Sequence, residues 1–225
     1  MAESSTPGRR GGRRRRGPPR LVTVESVSRP TPRLTRITLG GDALEGFGPP
    51  RPGAHVKLFF VPAGTMWSPS DDQAARPPSR TYTPLRHDPA NHRLDVEFVH
   101  HGDGLAAGWA AAAEIGETLY IAGPGGGYDI APDATDIVVV ADDTAMPAAG
   151  TVLDALPGGC RATAIFEVAD AAEERDVSPK AGVTPIWLHR GDRNGETLDA
   201  TVRRLSAPLG TADWWIACEA ATMRQ

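Results

Sequence analysis

The sequence predicts two domains in series, an antiparallel β-barrel followed by a parallel-sheet α/β domain. Three observations carry that prediction. Short β-rich segments without long helices fill the first half, a continuous apolar run occupies 136–141, and strands alternate with helices after it. At 225 residues the chain is long enough for one large domain or two modest ones.

In the first half, Leu21-Val22-Thr23-Val24-Glu25-Ser26-Val27, Leu34-Thr35-Arg36-Ile37-Thr38-Leu39 and His55-Val56-Lys57-Leu58-Phe59-Phe60 are β-rich and separated by turn clusters at 29–32 and 46–53. Segments 80–84, 93–100 and 118–122 continue the series. Arg93-Leu94-Asp95-Val96-Glu97-Phe98-Val99 alternates cleanly, with Leu94, Val96 and Phe98 on one face. Residues 67–78 read as a polar, mobile loop, and 106–113 as one short Ala-rich helix after a Gly-Asp-Gly turn. In the second half, the apolar run Asp136-Ile137-Val138-Val139-Val140-Ala141 is a strand buried on both faces. A helix over 145–156, strands at 162–168 and 184–188, a helix near 196–205 and a strand at 213–217 follow. The boundary between the domains falls near 131–136.

Composition narrows the class. Hydrophobic residues make up 40% of the chain, and no apolar run reaches the roughly 18 residues of a membrane span. Residues 1–20 hold seven Arg against one Glu, a net of +6, so the rest carries −10 of the overall −4. This reads as a disordered, solvated Arg-rich arm on an acidic body rather than a nucleic-acid surface. No apolar stretch follows the arm's charges, which leads us to expect a cytoplasmic protein. Cys160 and Cys218 are far apart and form no Cys-x-x-Cys, so neither a disulfide framework nor an iron–sulfur cluster is credible. Electron transfer by this chain would fall to an organic cofactor.

Chemistry concentrates in Ser79-Arg80-Thr81-Tyr82-Thr83-Pro84 and in His101-Gly102-Asp103-Gly104-Leu105-Ala106-Ala107-Gly108-Trp109-Ala110. An Arg, a Tyr and a Thr on one short strand suit a flavin. The guanidinium pairs with a pyrophosphate, the phenol ring covers the isoalloxazine, and the hydroxyl reaches a ring nitrogen. The second segment brings a Gly-rich turn and a helix start to the same phosphates. His100 and His101 are adjacent on a strand and point to opposite faces, which makes a poor metal pair. Gly123-Pro124-Gly125-Gly126-Gly127-Tyr128 does not fit G-x-G-x-x-G and is expected to form a tight turn between the domains.

These segments resemble the siderophore-interacting proteins, FAD-containing ferric-siderophore reductases of the ferredoxin-reductase-like superfamily. Gly53-Ala54-His55-Val56-Lys57-Leu58-Phe59-Phe60, Asp142-Asp143-Thr144-Ala145-Met146-Pro147-Ala148 and Trp215-Ile216-Ala217-Cys218-Glu219-Ala220 match in the same order. The resemblance covers about 21–224. It implies a Greek-key FAD-binding barrel over 21–131 and an NAD(P)H-binding-like α/β domain over 135–225. Cofactor contacts are implied at Arg80, Tyr82, Thr83, His101, Gly104, Ala106, Ala107, Trp109 and Thr144, with Thr144 also the expected cap of the following helix. Lys57 is implied on the substrate side, with Arg86 a further candidate. Departures occur at Leu105 for a common Pro, Ala107 for a common Ser, Cys218 for a Gly, and Gly125 where a basic residue is frequent. No catalytic acid, base or nucleophile and no metal ligand is expected.

The implied activity is reduction of Fe(III) held in a siderophore, with FAD as cofactor, NADPH, NADH or ferredoxin as donor, and a monomer as the acting form. A general NAD(P)H–flavin reductase with another acceptor is an alternative, as is a paralogue that binds flavin or siderophore without turnover. Because Gln225 stands just inside what reads as the next helix, the α/β domain is expected to be C-terminally truncated and to use pyridine nucleotide poorly.

Overall fold

The computed structural model describes residues 17–218 apart from 63–64, 71–74, 103, 178–182, 184, 193–194, 196 and 206–211. The Arg-rich arm therefore lies outside the described residues as far as residue 16, and its expected last residue, Arg20, already opens the first strand. The first sheet comprises β1 (Arg20–Thr31), β2 (Leu34–Gly40), β3 (Ala54–Phe59), β4 (Ser79–Tyr82), β5 (Arg86–Asp88), β6 (Arg93–Val99) and β7 (Thr118–Gly126); helix α1 (Leu105–Ala112) is inserted before β7. The seven strands are antiparallel, in the order β4-β3-β7-β1-β2-β6-β5.

This sheet must roll up. Its two edges are β4 and β5, and only Thr83, Pro84 and Leu85 separate them. Laid flat, the edges would stand about 29 Å apart at about 4.8 Å per strand. Four residue steps from Tyr82 to Arg86 span roughly 14 Å at most. Closure shows in two contacts: the Tyr82 ring lies 4.4 Å from that of Phe98 on β6, and the Leu85 N–H donates to the Asp95 carbonyl at 2.9 Å. Alternation then fills the interior with Val22, Ile37, Val56, Leu58, Val96 and Ile121, each nearly or fully buried. Burying a side chain of this kind is worth about 1.5–3 kcal/mol. Ala106 and Ala110, one turn apart on α1, seat that helix against the same core.

Two expectations change here. The segment read as a mobile loop starts with an anchor, because Trp67 is buried against Phe59 (5.0 Å) and Tyr120 (5.2 Å) on the outer face of the barrel wall. The Gly-Pro-Gly-Gly stretch is no tight turn. It continues β7, since Gly125 and Gly126 pair with His55 and Ala54, and an irregularity between His55 and Lys57 absorbs the extra residue. Gly123 has a φ of 131°, and a Cβ there would stand 3.1 Å from the His55 carbonyl oxygen, so the close backbone approach requires glycine.

The second sheet is parallel, in the order β10-β9-β8-β11, and comprises β8 (Asp136–Asp142), β9 (Arg161–Val168), β10 (Ile186–His189) and β11 (Ala212–Ala217). Every residue of β8 is buried, as its apolar run requires. Helix α2 (Met146–Asp154) packs Met146, Ala149 and Val152 on the face of Ile137, Val139 and Phe166. Helix α3 (Leu198–Arg204) covers Val138, Val140 and Ile165 on the other. Expected element ends at 184 and 196 lie outside the described residues. No helix among the described residues is long and apolar enough to cross a membrane.

A buried polar clamp joins the two sheets. Glu173, in a 3₁₀ turn after β9, accepts hydrogen bonds from the Arg33 N–H at 2.9 Å and from the Thr31 hydroxyl, both at the β1–β2 turn. Arg175 lies 3.4 Å from one oxygen of Glu97 on β6, and Arg36 holds the other at 2.6 Å. Burial pulls the Arg175 guanidinium below its ordinary pKa, with the Glu97 charge opposing. Removing one member of a buried pair strands the other's charge, typically at about 3–5 kcal/mol. Glu97→Ala is therefore expected to lower the unfolding free energy by about 3 kcal/mol in urea titration. Arg36→Ala, at a side chain one-third exposed, should cost less than half of that.

Candidate functional site

β4 positions the first group of side chains. Tyr82 and Arg80 lie opposite Val56 and Leu58, two fully buried residues, so they share the inner side of the barrel wall at its rim. The Tyr82 ring is half-buried on Phe98, while Arg80 is exposed and donates to the Ser79 carbonyl at 2.9 Å. Burial pushes the Tyr82 phenol up to about 12, with Arg80 pulling the other way. The phenol stays protonated at neutral pH and keeps an O–H to donate. Thr83 follows in the link that closes the barrel, half-buried.

α1 supplies the second group. Gly104 precedes it with extended backbone and no side-chain cap, leaving the first-turn N–H groups open to an acceptor. A Cβ on Gly104 or Gly108 would meet nothing within 4 Å, so that side is open space. Ala106 and Ala107 are buried. Trp109 packs on Phe98 and Phe60, each at 5.5 Å, so Tyr82 and Trp109 meet the same Phe98 ring. Asp103 of the expected turn lies outside the described residues.

The two histidines lie just past the end of β6 rather than on a strand, and they diverge. His100 turns to the Thr35 hydroxyl at 2.7 Å, and burial, then Arg29, lowers its pKa. His101 is exposed and lines a cleft of about 770 Å³. That cleft opens at the C-terminal ends of β8, β9 and β11, with Asp142, Asp143, Thr144, Glu167, Arg190 and Cys218 on its wall. The strand order explains its position. β9 and β10 extend the sheet on one side of β8 and β11 on the other, and ligands bind outside the carboxyl ends at such a switch point.

Thr144 reaches the cleft but does not cap α2. Its N–H and hydroxyl both donate to Asp142 Oδ1, at 3.0 and 2.7 Å, and so does the Ala145 N–H at 3.0 Å. Asp142 thus closes the turn ahead of α2, and the residue at the helix's N-cap, Ala145, receives no side-chain cap bond. Burial pushes the Cys218 thiol up, with Asp142 and Glu167 adding to the effect. Glu219 and Ala220 lie outside the described residues.

Lys57 is not brought to the cradle. It pairs with Thr81 and Ala122 and shares the outer face with Phe59, opposite in sense to Arg80 and Tyr82. Arg86 is exposed on β5. Sequence reasoning missed Glu167 and Arg190. Both stand at or just past the C-terminal end of a parallel strand, and that placement was the only available signal. Among the described residues, no group of three or more His, Cys, Asp or Glu has a metal-holding arrangement.

Comparison with known proteins gives the family and the fold. The pattern of the siderophore-interacting FAD-binding domain matches residues 23–128, and that of the siderophore-interacting protein matches 134–225. An NADPH-dependent ferric-chelate reductase of Escherichia coli is 32% identical over 220 residues, 91% of this chain and 84% of the relative. The ferric vibriobactin reductase of Vibrio cholerae is 29% identical over 85% of this chain and 74% of its own. Among solved structures, a siderophore utilization protein from T. fusca has a TM-score of 0.79 at 34% identity, covering 92% of this chain and 83% of that one. The cytochrome b5 reductase domain of Ulva prolifera nitrate reductase, with a TM-score of 0.66 at 14% identity, covers 92% of this chain and 89% of that one and shares the fold.

The buried phenol yields a pH test. Because its folded pKa lies near 12 against an ordinary 10.0, the folded state retains a proton that the unfolded state releases between those values. That contribution to stability is complete below pH 10 and lost as pH rises through about 12. The difference in 295 nm absorbance between flavin-free wild type and Tyr82→Phe should have its midpoint near pH 12; a midpoint near 10 would show an exposed ring.

Proposed function

The chain belongs to the siderophore-interacting protein family, and from that premise we propose that it is an FAD-dependent oxidoreductase that reduces Fe(III) in a ferric siderophore to Fe(II). A reduced pyridine nucleotide is the electron donor. The observation that carries this reading is the exposed Arg80 and ring-backed Tyr82 on one side of β4, together with the uncapped start of α1. The residues fit FAD. Arg80 would pair with the pyrophosphate and Tyr82 would cover one face of the ring system. The Thr83 hydroxyl would donate to a ring nitrogen, and the first-turn N–H groups from Leu105 to Ala107 would take a phosphate. Trp109 backs the site through Phe98.

FAD, when bound, accepts a hydride equivalent and delivers single electrons to the iron. The chain's part is to hold, orient and shield. His101, Thr144 and the carboxyl ends of the parallel strands border the cleft open to the donor. Release follows from ligand chemistry, because ferrous iron binds hard oxygen donors far more weakly than ferric iron. Lys57 enters this reading as a cation for the anionic chelate on the outer barrel face, apart from the residues that hold the ring. Residues 21–131 are then the flavin domain and 135–225 the donor domain of a cytoplasmic monomer.

Purified protein should be yellow, with oxidised-flavin absorbance bands. Ferric siderophore supplied with NADH or NADPH should yield Fe(II) captured by a ferrous chromogen. Turnover with ferricyanide but not with ferric siderophores would show that the acceptor is wrong. Arg80→Ala should fold normally and weaken FAD binding by roughly 30- to 150-fold, equivalent to about 2–3 kcal/mol for a lost charge-assisted pair. Full flavin occupancy in that variant would remove β4 from the cofactor site.

A further inference from the structure

The cleft carries an electrostatic arrangement that the proposed activity alone does not require. β8, α2 and β9 form a βαβ unit, and Glu167 is the penultimate residue of its second strand, with its side chain on the cleft wall. In dinucleotide-binding units of this kind, a carboxylate in that region hydrogen-bonds the adenosine ribose 2′-hydroxyl of NAD. An arginine nearby instead accommodates the 2′-phosphate of NADP. This cleft contains both residue types, Glu167 and Arg190, so the local charge has to decide.

Arg190 is already engaged. One guanidinium nitrogen is bonded to Asp143, and the other lies 3.6 Å from Glu167 Oε2. Its own backbone is tied down, its N–H donating to the Val168 carbonyl at 2.9 Å. Asp142 adds a third carboxylate, held in place by three donors from the turn that follows it. One guanidinium against three carboxylates leaves this end of the cleft at a net −2. A 2′-phosphate brings roughly −1.5 to −2 more at neutral pH. To reach Arg190 it would have to displace a carboxylate already paired with it.

We propose that Glu167 makes this cleft select NADH over NADPH, by accepting a hydrogen bond from the ribose 2′-hydroxyl and repelling a 2′-phosphate, while Asp143 and Glu167 keep Arg190 from serving as a phosphate ligand. The inference rests on the pyridine-nucleotide reading of the cleft. It departs from the NADPH dependence in the name of the Escherichia coli relative.

Two readouts on the flavin-loaded protein test it: stopped-flow flavin reduction by NADH and by NADPH, and calorimetric titration with NAD+ and NADP+. Wild type should favour NADH in reduction and NAD+ in affinity by tenfold or more. Glu167→Gln, nearly isosteric, should retain its flavin and narrow both ratios by tenfold or more, with NADP+ gaining affinity. Arg190→Gln should leave the preference for NAD+ in place. The proposal is overturned by a wild type that prefers NADPH and loses that preference in Arg190→Gln, or by ratios unchanged in Glu167→Gln. If neither nucleotide binds, the donor assignment falls and takes this inference with it. That outcome is distinguishable because both affinities vanish together.

Discussion

Carrying the chain from one edge of a seven-stranded sheet to the other in three residues is possible only after the sheet has rolled into a closed wall, and the rest of the flavin-side architecture follows from that geometry. Closure sets Phe98 of β6 behind Tyr82 of β4, although more than a dozen residues and another strand lie between them in sequence. It leaves Arg80 at the rim, in solvent. It also lets Ala106 and Ala110 of α1 pack into the barrel core, which brings Trp109 onto the same Phe98 ring. Thr83 belongs to the link itself, so a residue proposed to face the ring system would also be one that closes the wall.

The two halves of the site differ in polarity. The barrel rim presents a guanidinium and the unsatisfied N–H groups of a helix start, both suited to phosphate. At the cleft, the turn before α2 is closed by the protein's own Asp142 carboxylate, and Arg190 is held by acidic neighbours. This arrangement lacks the usual anion-binding glycine loop, in keeping with a chain that has no G-x-G-x-x-G between β8 and α2. An anionic ligand is drawn to the rim and must be steered in the cleft by its neutral parts.

The sequence made most of the elements legible because burial left a periodic record. Leu94, Val96 and Phe98 alternate and are fully buried, and the unbroken apolar run of β8 belongs to a strand covered on both faces. β5 was invisible because Arg86, His87 and Asp88 carry no apolar signal; it exists by pairing with β6. The glycines after Gly123 suggested a turn, yet ladder partners on β3 hold them extended. Trp67 looked like part of a polar loop, since nothing local reveals that an outer barrel face offers it Phe59 and Tyr120. The two motifs brought Tyr82 and Trp109 to attention, and in the structure both rings meet Phe98. Asp142 as the acceptor in the turn before α2, and Glu167 and Arg190 as cleft residues, depend on which strand ends the topology brings together.

The clamp between the sheets also bears on the time course of the reaction. Glu173 and Arg175 fasten the turn after β9 to the β1–β2 turn and to β6 through buried polar contacts. A hinge that opened and shut with each turnover would have to expose and re-bury those charged groups every cycle. The separation between the Tyr82 rim and the cleft is therefore set once, during folding. A cycle that keeps these contacts intact leaves the arrival and departure of small molecules, rather than movement of one sheet against the other, as its slow events.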